Sequence, residues 1–180
     1  MNNCQVADII ARVKNGDRAA FETIVLSYQT LLFRVVRNLV GDGQAEDVVQ
    51  EVFLAAYANL KRFDPQKGGL KTWLLTIARN KARNTARRKR EYTGMDLPEA
   101  RDERSPSDAL LAKERFAQLD GALLRLNDQE RMIFVLAEIE GLSYAEIARI
   151  ENMRLGSVKS KLSRTRAKLR ALIKKTEATR

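Results

Sequence analysis

From Asp17 onward the apolar residues Phe21, Ile24, Val25, Tyr28, Leu31, Leu32, Val35, Val36 and Leu39 recur at three-and-four spacing, and no stretch of the chain alternates apolar with polar as a half-buried strand would. This period places all nine on one side of a helix of about six turns. It commits the chain to an all-α fold. Gly41-Asp42-Gly43 ends that helix, and a second one over 44–61 gathers Ala45, Val48, Val49, Val52, Phe53, Ala56 and Leu60 on one face. Proline cannot continue a helix, so the second stops at Asp64-Pro65. Past the turn at 66–69, a third helix over 70–90 carries Leu70, Trp73, Leu74, Ile77 and Ala78 inward and dissolves into the basic run 87–90.

Periodicity disappears over 91–108, where Gly94, Pro98, Pro106 and six acidic residues collect. Such a composition reads as a flexible linker. Residues 1–90 and 109–180 are therefore expected to be two small helical domains. Helix restarts after Ser107 with Leu110, Leu111, Phe116, Leu119, Leu123 and Leu124. Asn127 and Ser143 each precede a glutamate by three residues, the spacing of a capping box, and Gly141 sits where a helix end wants positive φ.

Composition narrows the chemistry. The 180 residues include no histidine and one cysteine, Cys4, so neither an internal disulfide nor the usual zinc ligand set can be assembled. No metal or cofactor is expected. The commonest general acid or base is missing, and no nucleophile or phosphate-loop motif stands in for it. The apolar runs fall short of a membrane span and no secretory leader opens the chain, so the expected compartment is the cytoplasm, without membrane insertion. The net charge of +10 is carried in blocks: 11 basic residues against 1 acidic over 61–90, and 10 against 1 over 153–180, with an acidic excess between them. Two concentrated cationic segments favour a polyanionic partner.

Residues 142–166 locate one of those segments. The Ser143 box starts a short helix, Tyr144 to Ile150; residues 151–154 break it, with Asn152 able to adopt the left-handed turn conformation; a longer helix begins near Gly156 or Ser157. Val158, Leu162, Leu169 and Leu172 share one side of this second helix. The opposite side carries Lys159, Ser160, Ser163, Arg164, Ala167 and Arg170, flanked by Lys161, Arg166 and Lys168. This is a helix-turn-helix arrangement, whose second helix reads base edges in the major groove and whose flanking cations meet phosphates.

In the first domain, the helix over 44–61 turns Asp47, Gln50, Glu51, Leu54 and Ala58 away from the core. An acidic stripe around an exposed leucine suits a basic, partly apolar protein partner. The helix over 70–90 puts Thr72, Thr76, Arg79, Asn80, Arg83 and Arg87 outward, with Asn84 beside them. Trp73 lies at the border, where stacking on an unpaired base and burial in the core are both open.

The segment GLSYAEIARIENMRLGSVKSKLSRTRAKLR, 141–170, resembles the last region of bacterial RNA polymerase sigma factors of the ECF (extracytoplasmic function) group. The segment AEDVVQEVFLAAYANLKRFDPQKGGLKTWLLTIARNKARNTARRKR, 45–90, is similar to the core-binding and promoter-melting regions of the same group. The resemblance implies that Asp47, Gln50, Glu51 and Leu54 meet the clamp helices of the polymerase largest subunit and that the second domain docks on the flap. It further implies that Trp73, Thr76, Arg79, Asn80, Arg83, Asn84 and Arg87 serve the minus-ten element, with a flipped base entering near Phe63 to Lys71. Lys159, Ser160, Lys161, Ser163, Arg164, Arg166 and Lys168 would serve the minus-thirty-five element, and an anti-sigma protein would hold the chain inactive. Ser157, Lys161 and Asn152 depart from the residues frequent at those positions, which leaves the promoter sequence open. A stand-alone helix-turn-helix regulator, a small nuclease and a protein adaptor are the competing readings. The acidic stripe speaks against the first, the want of a clustered carboxylate or hydroxyl site against the second, and the two basic helices against the third.

Overall fold

The computed structural model describes residues 3–93 and 119–177, and every described element is helical. The first domain contains α1 (Asn3–Lys14), α2 (Arg18–Val40), α3 (Asp42–Asn59), one 3₁₀ turn (Leu60–Arg62) and α4 (Leu70–Thr93). The second contains α5, described over 119–124, then α6 (Asp128–Phe134) widening into a π turn (Val135–Ile139), α7 (Tyr144–Glu151) and α8 (Leu155–Glu177). The expected restart of helix after Ser107 and nearly all of the expected linker lie outside the described residues.

The apolar periods of α2 and α3 become the core. Ile24, Leu32, Val35 and Val36 of α2 pack with Val48, Val52, Phe53 and Ala56 of α3 and with Leu74, Leu75 and Ala78 of α4. α2 is long and apolar enough to cross a membrane by length and composition alone; in the fold its apolar face is the centre of the first domain. α1 precedes the segment where the periodic reading begins. Its Val6, Ile9, Ile10 and Val13 have helical spacing and close the open end of the core.

Local chemistry sets the helix ends. Asp17 caps α2 by accepting the Ala20 amide at 3.1 Å. Asn127 and Ser143 both form complete capping boxes, with Glu130 and Glu146 reaching back to the cap residues' own amides at 3.1 and 2.9 Å. The Ser143 hydrogen bond holds the Glu146 carboxyl below its ordinary pKa. A carboxylate lowered in this way contributes stability that is complete above the ordinary glutamate pKa and is lost as pH falls through its folded value. Gly141 takes φ 62°, so the Leu142 amide can reach back to the Leu136 carbonyl at 2.9 Å and close the wide turn. Asn152 takes φ 50°, ψ 55°, the left-handed corner between α7 and α8.

Two expectations for α4 are corrected. The helix does not dissolve at 87–90 but runs to Thr93. Arginine and lysine are good helix formers, and Arg90 is anchored to Asp128 of the second domain. Thr72, expected outward, is buried, and Leu75, Ala82 and Ala86 join it inside. A one-sided period fails here because α4 packs against α2 and α3 on one side and α7 on the other.

The domains are docked. One apolar cluster runs from Ile9 in α1 to Ile147 in α7 and Leu162 in α8, with a smaller satellite of Ala122, Leu123, Leu126 and Leu169. Arg131, 3% exposed, fastens the arrangement: its guanidinium donates to the carbonyls of Leu123, Leu124 and Leu126 at 2.8–3.0 Å and, across the domains, to the carbonyl of Asn38 at 3.0 Å.

Candidate nucleic-acid interface

α8 presents the face expected of it. Val158, Leu162, Thr165 and Leu169 are buried, while Lys159, Ser160, Ser163, Arg164, Ala167, Lys168 and Arg170 are exposed, and Lys161 is half-buried at the margin. The i, i+3, i+4, i+7 spacing of 156, 159, 160, 163 and 164 makes these positions one stripe. Ser160 donates its hydroxyl to the Ser157 carbonyl at 3.3 Å, which orients it along the helix. Arg154, just before the first turn of α8, is also exposed and extends the stripe, a contribution the face reading leaves out.

Two of the flanking cations are already engaged. Arg166 donates to Glu138 of the π turn, its Nε at 3.1 Å, and reaches the Tyr144 hydroxyl at 3.5 Å; Lys168 donates to Glu130 at 2.9 Å. These contacts hold α8 against α6 and α7. The Glu138 hydrogen bond raises the Arg166 pKa further. Either cation can meet a phosphate only by sharing or leaving its carboxylate.

On α4, Asn80, Asn84 and Arg87 are exposed, but Arg79 and Arg83 are largely covered, with 16% and 26% of their side chains accessible. Both point at Glu151, the last residue of α7. The expectation that they face outward is corrected: α7 lies over them. Thr76 is half-buried and spends its hydroxyl on the Thr72 carbonyl at 2.8 Å. Trp73 is half-buried, edge-on to Phe63 with ring centroids 5.3 Å apart. The loop between those two aromatics is where the resemblance places a base pocket.

On α3, Asp47, Gln50, Glu51 and Ala58 are exposed and Leu54 is 70% exposed. Glu51 accepts from Lys81 of α4 at 2.9 Å. The ridge is wider than its sequence pattern. Leu26 of α2 is 62% exposed, and a groove of about 440 Å³ opens between α2 and α3, lined by Gln29, Thr30, Phe33, Glu46, Val49 and Gln50.

Residues 24–92 match Sigma-70 region 2 and residues 116–169 match Sigma-70 region 4. The ECF RNA polymerase sigma factor SigW of Bacillus subtilis is 33% identical over 174 residues, 89% of this chain and 92% of its own length. The chain belongs to the ECF group of sigma-70 factors. RNA polymerase sigma-H factor of Pseudomonas aeruginosa is 34% identical, with 90% of each chain covered. Among solved structures, CnrH in complex with the cytosolic domain of CnrY superposes with a TM-score of 0.70 at 28% identity over 92% of this chain and 95% of that one. The sigma factor RpoE in complex with the anti-sigma factor NepR, from Bartonella quintana, gives 0.69 at 26% over 86% and 96%. This sigma factor therefore has the two-domain helical fold of its group.

Proposed function

We propose that this sigma factor joins core RNA polymerase in the cytoplasm through the α3 ridge and delivers two promoter elements to it without itself making or breaking a covalent bond. The observation that carries this reading is the ridge: Asp47, Gln50 and Glu51 around a leucine 70% exposed. A stand-alone DNA-binding regulator has no use for an acidic, partly apolar surface, whereas the basic clamp helices of the largest subunit complement it. The domain assignment follows the chemistry: residues 1–90 for polymerase and the minus-ten element, 91–108 as linker, and 109–180 for the minus-thirty-five element and the flap.

On α8, Lys159, Ser160, Lys161, Ser163 and Arg164 are assigned to base edges and near phosphates of the upstream duplex, and Arg166 and Lys168 to its backbone. On α4, Trp73, Thr76, Arg79, Asn80, Arg83, Asn84 and Arg87 are assigned to the displaced minus-ten strand. Separating bases costs a few kcal/mol each, which capture by stacking and phosphate contacts offsets. An anti-sigma protein is the expected negative regulator; the structural relative RpoE is in complex with the anti-sigma factor NepR.

The test is promoter choice. Arg164→Ala is expected to lose about 1–3 kcal/mol of discrimination at one upstream position, whereas Arg166→Ala weakens all promoters alike and lowers the salt slope. Competition footprinting of the variant holoenzymes on mixed promoters measures both. Equal losses on every promoter from both variants would refute the face assignment.

A further inference from the structure

Four ion pairs between the two domains set a cation of the first against an acid of the second. Arg34, Arg79, Arg83 and Arg90 of the first domain pair with Glu140, Glu151 and Asp128 of the second. The pair at Glu151 falls on the nucleic-acid face assigned to α4. The Glu151 side chain is 0% exposed. One carboxylate oxygen accepts from Arg79 Nε at 3.3 Å; the other accepts from Arg83 Nη2 at 2.8 Å and Gln129 Nε2 at 3.2 Å; its backbone carbonyl accepts from Arg79 Nη2 at 3.0 Å.

A carboxylate is poorly placed at that point on any other ground. The C-terminus of α7 already carries the negative end of the helix dipole, and removing an acid from water costs several kcal/mol unless opposite charge and hydrogen bonds meet it. Two guanidiniums from successive turns of α4 meet it. Oxygens held by two arginines are what a phosphate would offer the same side chains.

Distance adds a second argument. The two promoter elements are separated by roughly 25 base pairs, about 85 Å at 3.4 Å per step. A compact chain of this length has a radius of gyration of about 16 Å. It cannot touch both elements while α7 lies on α4.

We infer that Glu151 is an internal phosphate mimic that latches the free sigma factor closed, neutralising Arg79 and Arg83 until the second domain leaves α4. This rests on the assignment of α4 to the minus-ten strand. Arg34–Glu140 and Arg90–Asp128 act in the same direction at the edges of the contact. Apparent affinity for single-stranded nucleic acid falls by the fraction of chains that are open, so weakening the latch raises it.

The experiment is fluorescence anisotropy of a labelled, thymine-rich single strand of about 12 nucleotides, a length suited to one stacking groove, with the full chain and no polymerase. Glu151→Gln keeps the shape and removes the charge; binding about tenfold tighter is expected, as for a closed state favoured by that factor. Asp128→Asn with Glu140→Gln, which leaves Glu151 untouched, is expected to tighten binding in the same direction and keeps the test decisive if Glu151→Gln fails to fold by circular dichroism. Adding Arg79→Ala and Arg83→Ala to either variant should remove the gain. Affinities equal to wild type in the folded latch variants overturn the latch. They leave the assignment of α4 standing if Arg79→Ala with Arg83→Ala still weakens the wild type. A gain that survives loss of both arginines overturns the latch, because Glu151 would then not act through Arg79 and Arg83.

Discussion

Asp47→Lys together with Glu51→Lys is expected to abolish co-purification with core RNA polymerase while leaving the helical circular dichroism of the chain unchanged. The two acids stand one turn apart on α3 with Gln50 between them and Leu54 one turn beyond, and all four side chains face solvent. Lysine is as good a helix former as glutamate. The folding cost is therefore confined to the Glu51–Lys81 pair, exposed at both ends and worth roughly 0.2–1 kcal/mol. Binding suffers far more. Like charges set against a basic partner cost several kcal/mol, so an affinity loss on the order of a hundredfold or greater is expected. Retained binding by a folded double variant would show that the acidic ridge is not the dock.

Arg131→Ala is expected to be the most damaging single change to stability, at about 3–5 kcal/mol, because it strands buried polar groups instead of removing a matched set. The carbonyls of Leu123, Leu124 and Leu126 form the open end of α5, and Arg131 satisfies all three with one planar group. Its fourth bond, to Asn38, ties the second domain to the C-terminal part of α2. Burial lowers the Arg131 pKa, with the Asp128 charge opposing that effect and the Arg90 charge adding to it. For a chain of this size the expected fall in melting temperature is on the order of 10 °C, measured by thermal denaturation of the full chain. A loss below about 1 kcal/mol would mean that water replaces the guanidinium at the helix end. Lysine should not rescue, since a single ammonium lacks the planar fork that spans these acceptors.

The sequence is most informative where structure is set by near neighbours. The core faces of α2 and α3, both capping boxes, the positive φ of Gly141 and the left-handed corner at Asn152 depend on spacings of a few residues, and all are readable from the chain. The exposed stripe of α8 is legible for the same reason: its helix has one packed side. α4 is not, because Arg79 and Arg83 are covered by α7, an element some seventy residues away that no local period reports. Arg131 and Glu151 read in isolation as ordinary charges, and only the docked domains show them buried with their partners. The membership of α1 in the core is a different case, since Val6, Ile9, Ile10 and Val13 carry the full helical signal and only the choice of Asp17 as the start hides it.

The central claim is that one acidic ridge holds polymerase while two separate cationic helices take the promoter. Run-off transcription with purified core polymerase over a promoter library tests it most directly, comparing the wild-type chain with Asp47→Lys/Glu51→Lys. The expected result is transcripts from a discrete promoter set with the wild type and none with the variant. Transcription from the same set by the variant, or none from any promoter with the folded wild-type chain, would contradict it.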